Sequence, residues 1–189
     1  MQEFNPQAYG PAFAAWLTVD RNRELGPGRP DAKVAKQLRS LEVEPLFSPH
    51  IPRNAALAQL CLGGLWLLYD FLDESHTISQ GVETRDGSFW HGIMHRREGD
   101  FSNSKYWFRR VGDHPLFERL LEAAQAQAEQ AGSKVAEEIG DWSEWDPFRF
   151  IDRCEACVRG RNEDEAFLRA VQQLEWELLF DDCYRRAIA

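Results

Sequence analysis

The stretch RNAALAQLCLGGLWLLYDFLDE, residues 53–74, carries the densest helical signal in the chain. Leu57, Leu60, Cys61, Leu65, Leu68 and Leu72 recur at steps of three, one, four, three and four, the 3.6-residue period of one helix face. Trp66, Leu67 and Phe71 widen the apolar arc. This predicts one helix over 53–74, central and covered on most sides. Gly63 and Gly64 inside it each cost about 1 kcal/mol relative to Ala. Close approach of a neighbouring helix is the expected compensation.

The same period recurs on both sides, broken by Gly, Pro and capping residues. Before it lie a short helix over 10–19 with Phe13, Trp16 and Leu17 inward, and the loop Leu25-Gly26-Pro27-Gly28-Arg29-Pro30. A helix over 32–41 follows, capped by Asp31, and then an extended connection through Pro45, Pro49 and Pro52. After it, helices are expected over 88–98, ending at Gly99, and from Asp100 or Ser102 through Val111. Further helices are expected over 114–131 with Asp113 as cap, 133–139, 147–159 and 164–187. Strand alternation is almost absent. The expected fold is all-α: one compact domain over residues 1–189, a helical bundle or irregular array of about eight helices.

Charge narrows the function classes. The chain has 31 Asp and Glu against 22 Lys and Arg, a net charge of -9. An acidic surface argues against nucleic acid and against an anionic membrane surface as partners. The longest apolar stretch, 55–72, is interrupted by Gln59, Gly63, Gly64 and Asp70, and is shorter than the ~20 apolar residues of a membrane span. The first residues carry no basic segment followed by an apolar one, so a cytoplasmic chain is expected. Its cysteines, Cys61, Cys154, Cys157 and Cys183, are then expected to be reduced, and one C-x-x-C pair is half of a four-cysteine zinc site.

Chemistry-bearing residues concentrate between 70 and 114. Four of the five histidines fall there: His76, His91, His95 and His114. His91 and His95 are four apart on an expected helix and Glu98 three further on, so all three share one face. Imidazoles at that spacing can meet one cation at about 2.0–2.1 Å. Asp73 and His76, three apart, stand near the end of the preceding helix, and a helical hairpin would bring them against His91 and His95. Their Asp-x-x-His spacing is loosely similar to the Glu-x-x-His of di-iron bundles. The alternative for each histidine is a core-edge position hydrogen-bonded to a neighbouring helix.

A second constellation is basic. Residues 91–110 hold Arg96, Arg97, Lys105, Arg109 and Arg110 against Glu98 and Asp100, a local charge of +3. Arg96, Arg97, Arg109 and Arg110 are candidate anion ligands, aided by Ser102, Asn103 and the free amides that start the next helix. The alternative is a set of surface arginines paired with the many acids. Of the run Tyr106-Trp107-Phe108, at least one ring must lie near the surface, because three adjacent positions cannot all face inward on a helix. No phosphate-binding Gly loop, dinucleotide fingerprint or Gly-x-Ser-x-Gly elbow is present.

The stretch WHGIMHRREGD, residues 90–100, followed by Asn103, Tyr106-Trp107-Phe108-Arg109-Arg110 and His114-Pro115, resembles a group of uncharacterised bacterial all-helical proteins. The likeness spans about a quarter of the chain and implies no catalytic roles. Gly99-Asp100-Phe101 is similar to a tetratricopeptide-type turn, although no 34-residue period follows it. His91-x-x-x-His95 is similar to the metal-binding pair of DinB-type bundles, which implies a third histidine on an earlier helix. His76 matches that part, whereas the pair lies earlier in this chain than is usual there.

The expectation from sequence is therefore a small metal-binding helical protein acting as a hydrolase or oxidase. His76, His91, His95 and Asp73 would hold a divalent zinc, nickel or iron ion, and Glu98 would serve as general base or further ligand. The alternative is a non-catalytic module that binds an anionic ligand or protein partner through its arginines. A small-molecule ligand and a homodimer are the partners this leaves open.

Overall fold

The computed structural model describes residues 4–162 and 164–189. Among them there is no strand. A 3-10 turn, Pro6–Tyr9, leads into α1 (Gly10–Leu17), α2 (Ala32–Leu38), α3 (Val43–Leu46), α4 (Ala55–Leu68) and α5 (Leu72–Gln80). Then come α6 (Arg85–Glu98), α7 (Phe101–Val111), α8 (Leu116–Ala131), α9 (Lys134–Gly140), α10 (Pro147–Val158) and α11 (Glu165–Ile188). The all-α expectation holds. The extra elements come from α3, a single turn inside the proline-rich connection, and from a break in the helix expected over 53–74.

That break falls at 69–71. The apolar period runs unbroken from Leu57 to Leu72, but Asp70 adopts φ 67°, left-handed backbone that ends a right-handed helix. The Asp70 carboxylate is tied on both sides. It accepts Arg97 Nη2 at 2.7 Å and the Arg29 amide at 3.1 Å. The Gly26–Gly28 loop packs on the same carboxylate, and a Cβ on Gly28 would lie 2.3 Å from its Cγ. Long-range ion pairing therefore overrides local periodicity, and α5 is free to leave the axis of α4.

Side-chain caps start the helices where hydroxyl and carboxylate residues stand. Asn54 caps α4, Thr84 caps α6 and Asp100 caps α7, accepting from Leu57 N, Gly87 N and Asn103 N. Asp113 does not cap α8. The Leu116 amide instead donates to His114 Nδ1 at 3.3 Å. Gly99, with φ 90°, closes α6 in the left-handed form that glycine accepts without strain.

Two adjoining apolar clusters make the core. The larger gathers α1, α4, α6 and the C-terminal half of α11, and the smaller gathers α8, α9, α10 and the N-terminal half of α11. Close approach accounts for the α4 glycines. A Cβ on Gly64 would sit 2.9 Å from the Trp90 ring, and one on Gly63 3.1 Å from Ile78. The Gly64 carbonyl also accepts Trp176 Nε1 at 3.1 Å. α6 is as central as α4: its residues Asp86 to Arg97 are all buried, polar ones included. No helix among the described residues is long and apolar enough to cross a membrane.

Candidate metal centre

α5 and α6 pack side by side, and the turn at Gly99 folds α7 back along α6. Gly92 permits that second contact at short range: a Cβ there would lie 2.7 Å from Phe108. Ser104 Oγ donates to the Gly92 carbonyl at 2.7 Å and fixes the register. The three helices thus bring His76 from α5, His91 and His95 from α6, and Asn103 and Trp107 from α7 to one place.

The three histidines each present a ring nitrogen, and these nitrogens all lie within 4.8 Å of one another. His91 Nε2 and His95 Nε2 are 2.9 Å apart. Two nitrogens bound to one ion at about 2.0–2.1 Å are roughly 2.9–3.4 Å apart for bond angles between right and tetrahedral. The His76 ring centroid lies 4.5 Å from that of His91 and 5.4 Å from that of His95. His91 and His95 are buried, while His76 is half-buried and opens the group toward solvent. Such a cluster can hold a metal ion.

The far ring nitrogens are committed elsewhere. His95 Nδ1 donates to Glu98 Oε2 at 2.9 Å, and His91 Nδ1 lies 3.3 Å from Ser79 Oγ. The Ser79 hydroxyl also reaches the His76 carbonyl at 3.2 Å. Nδ1–H directed at an oxygen leaves Nε2 bare, the arrangement that metal-ligating histidines use. No hydrogen-bond partner to the His76 ring occurs among the described residues, so both its nitrogens are uncommitted.

Burial, with His95 and His76 alongside, pushes the His91 imidazole down to about 3. Burial also lowers His95, against the opposing pull of Glu98. The pair is therefore neutral near pH 7, the form that carries a lone pair for a cation. One face of His91 is covered by the Trp107 indole, with centroids 3.9 Å apart and planes 25° from parallel. Arg110 lies over Trp107, 5.2 Å from a ring centroid.

Several expected site residues stand elsewhere. Asp73 is exposed on α5, and its carboxylate is not among the converging atoms. Glu98 meets His95 Nδ1, and its carboxylate is not among the converging atoms. The four arginines do not form one cluster. Arg96 is buried against Glu175 on α11, and Arg97 against Asp70 and the Gly26 carbonyl. Only Arg109 and Arg110 are exposed. α6 is central, so its Arg96 and Arg97 point inward to buried acids supplied from far along the chain. His114 supports structure, with Nε2 3.3 Å from Asp86, whose carboxylate also binds Arg186 through two bonds.

Sequence reasoning missed Ser79 and the contact between Trp107 and His91. Ser79 is three residues from His76 and so shares its face, but a serine at that spacing carries no signal of its own. Of the aromatic run, Phe108 is core, Trp107 is half-buried and Tyr106 is exposed, which fits the helical spacing. Comparison with protein-family models, with curated proteins and with solved structures finds no match to this chain.

Proposed function

We propose that this chain is a divalent-metal protein whose ion is held by His76, His91 and His95 and activates a bound water. The observation that carries the reading is the 2.9 Å approach of His91 Nε2 to His95 Nε2, with both Nδ1 atoms turned to oxygens. Two bare nitrogens at that distance repel unless a cation or a proton lies between them. The Ser79 hydroxyl donates to the His76 carbonyl, which leaves its oxygen to accept from His91 Nδ1–H. An ion bound there would be held by both Nε2 atoms, with each Nδ1–H kept on its oxygen.

Three neutral imidazoles are one of the ligand sets of catalytic zinc. Non-haem iron oxygenases use two histidines and a carboxylate. The donor set therefore favours hydrolysis or hydration over oxidation. Three protein ligands leave a position for water, whose pKa a divalent ion lowers toward ~7.

Elemental analysis of untagged protein dialysed against zinc tests the reading. One ion per chain is expected, falling to background in His91→Ala/His95→Ala. Absence of stoichiometric metal from the unaltered chain sinks it. Glu98 acts through His95, so Glu98→Gln is expected to retain the stoichiometry and weaken zinc about 10–100-fold. Competition with a chelating dye measures that change, and unaltered affinity would show that Glu98 has no orienting role.

A further inference from the structure

Away from the histidines, the connection between α2 and α4 walls a surface groove of about 850 Å³ against Gln59 and Leu62 of α4. The wall is anchored from behind. Phe47 is buried and stacks on Tyr184 of α11, with centroids 5.0 Å apart and planes 8° from parallel. The Arg53 and Asn54 amides both donate to the Ala187 carbonyl. The Tyr184 hydroxyl donates to the Tyr9 carbonyl at 3.0 Å, so His50 Nδ1, also 3.0 Å from that hydroxyl, donates to its oxygen. The neutral His50 ring then presents a bare Nε2 at an exposed position. The groove is thus built into the fold.

Its apolar part is uncovered. Val43, Pro45, Pro49 and Pro52 line it together with Ile51, which is 79% exposed. Covering such an aliphatic side chain is worth about 1.5–3 kcal/mol. Its charge is of one sign. Glu42 and Glu44 are the charged residues that line it, and both are exposed. Arg39, at the end of α2, pairs with Glu74 and with neither of them. Donors are scarce as well. The three prolines have no amide hydrogen, and the Ser48 and His50 amides are spent on the Pro45 and Phe47 carbonyls. The groove therefore offers acceptors beside apolar surface.

The same features narrow the occupant. Glu42, Glu44 and His50 are not among the side chains that converge on one point, so they make no metal cage. A second copy docked through this face would oppose like charges on a chain of net charge -9. We propose that the groove docks a basic, amphipathic segment of a partner protein. An aliphatic side chain of that segment covers Ile51 and the prolines, and its Lys or Arg side chains donate to Glu42, Glu44 and His50 Nε2.

Fluorescence anisotropy with a short dye-labelled peptide of alternating Arg and Leu tests this. One peptide per chain is expected to bind saturably, less tightly as salt rises. Peptides with Glu in place of Arg, or Ser in place of Leu, bind at least tenfold more weakly. Glu42→Gln/Glu44→Gln and Ile51→Ser each weaken the Arg-Leu peptide about tenfold. These positions are exposed, so the melting temperature is unchanged. Glu118→Gln/Glu122→Gln makes the same change of charge at exposed positions of α8 and leaves binding unaltered. An equal loss in that variant would reveal mere attraction to an acidic chain and overturns the proposal. Binding indifferent to Ile51→Ser overturns it too, as does the absence of saturable binding. A dimer in sedimentation that Ile51→Ser dissolves gives the groove to a second copy, with the same consequence.

Discussion

Replacing Glu175 with Ala is expected to destabilise the chain by about 3–5 kcal/mol. For a domain of this size that corresponds to a fall in Tm of roughly 6–20 °C. Glu175 and Arg96 form a two-bond pair where α6 meets α11, and their side chains are 0% and 1% exposed. The Arg96 guanidinium also lies over the Phe150 ring on α10, 4.8 Å from its centroid. Burial disfavours the Arg96 charge, but Glu175 outweighs it and raises the arginine further above its ordinary value. Removing the carboxylate leaves a buried cation with no counter-charge.

The reverse change is milder. The pair is imperfect, since Arg96 Nε has no partner among the described residues. Arg96→Met/Glu175→Leu is therefore expected to recover to within about 1–2 kcal/mol of the unaltered chain. Urea melts of the two single variants and the double variant measure the coupling. A Glu175→Ala chain within about 1 kcal/mol of the original would mean that water reaches Arg96 and the pair is not sealed.

Asp70→Ala is the second large effect, and it connects the fold to the proposed metal site. It strips the counter-charge from Arg97, whose side chain is 3% exposed, at a cost of about 3–5 kcal/mol. It also removes the anchor that holds the backbone in left-handed form between α4 and α5. Leu57 to Leu72 then regain their preference for one continuous helix. α5 is re-aimed and His76 leaves His91 and His95. Zinc affinity is expected to drop at least tenfold, toward that of a two-histidine site.

Asp70→Gly separates the contributions. It relieves the unfavourable φ, worth about 1 kcal/mol, without restoring the carboxylate. Its stability should lie slightly above that of Asp70→Ala, and its zinc affinity should lie between that of Asp70→Ala and that of the unaltered chain, because glycine keeps the left-handed break. Thermal melts and zinc titrations on the same samples decide this. A destabilised Asp70→Ala that keeps full zinc affinity would show that the α4–α5 break does not position His76.

The helical content was legible from residue spacing. The apolar period of α4, the start of α7 at Asp100 or Ser102 and the stop at Gly99 are local features, and local physics suffices to read them. The His91, His95 and Glu98 ladder was legible for the same reason, because residues four and three apart share a helix face whatever surrounds them. The close packing at Gly63 and Gly64 was also written there, as an unfavourable pair that only a neighbouring ring explains.

The burial of α6 was not legible. A segment with two histidines and two adjacent arginines reads as a surface helix, and its arginines read as an anion site. Their counter-charges come from Glu175, 79 residues on, and Asp70, 27 residues back. Nothing in the spacing of α6 announces either partner. The break at Asp70 was hidden in the same way, since an aspartate inside an apolar period signals no turn until Arg97 and Arg29 grip it.

By itself, then, the sequence determined which segments are helical and which side chains share a face, because hydrogen bonding and rotamer sterics act within a few residues. The tertiary structure alone decided which charges are buried, that α4 and α5 are separate helices, and that His76 completes the trio while Asp73 does not. Those outcomes depend on electrostatic and packing energies between residues distant in the chain, which no local period encodes.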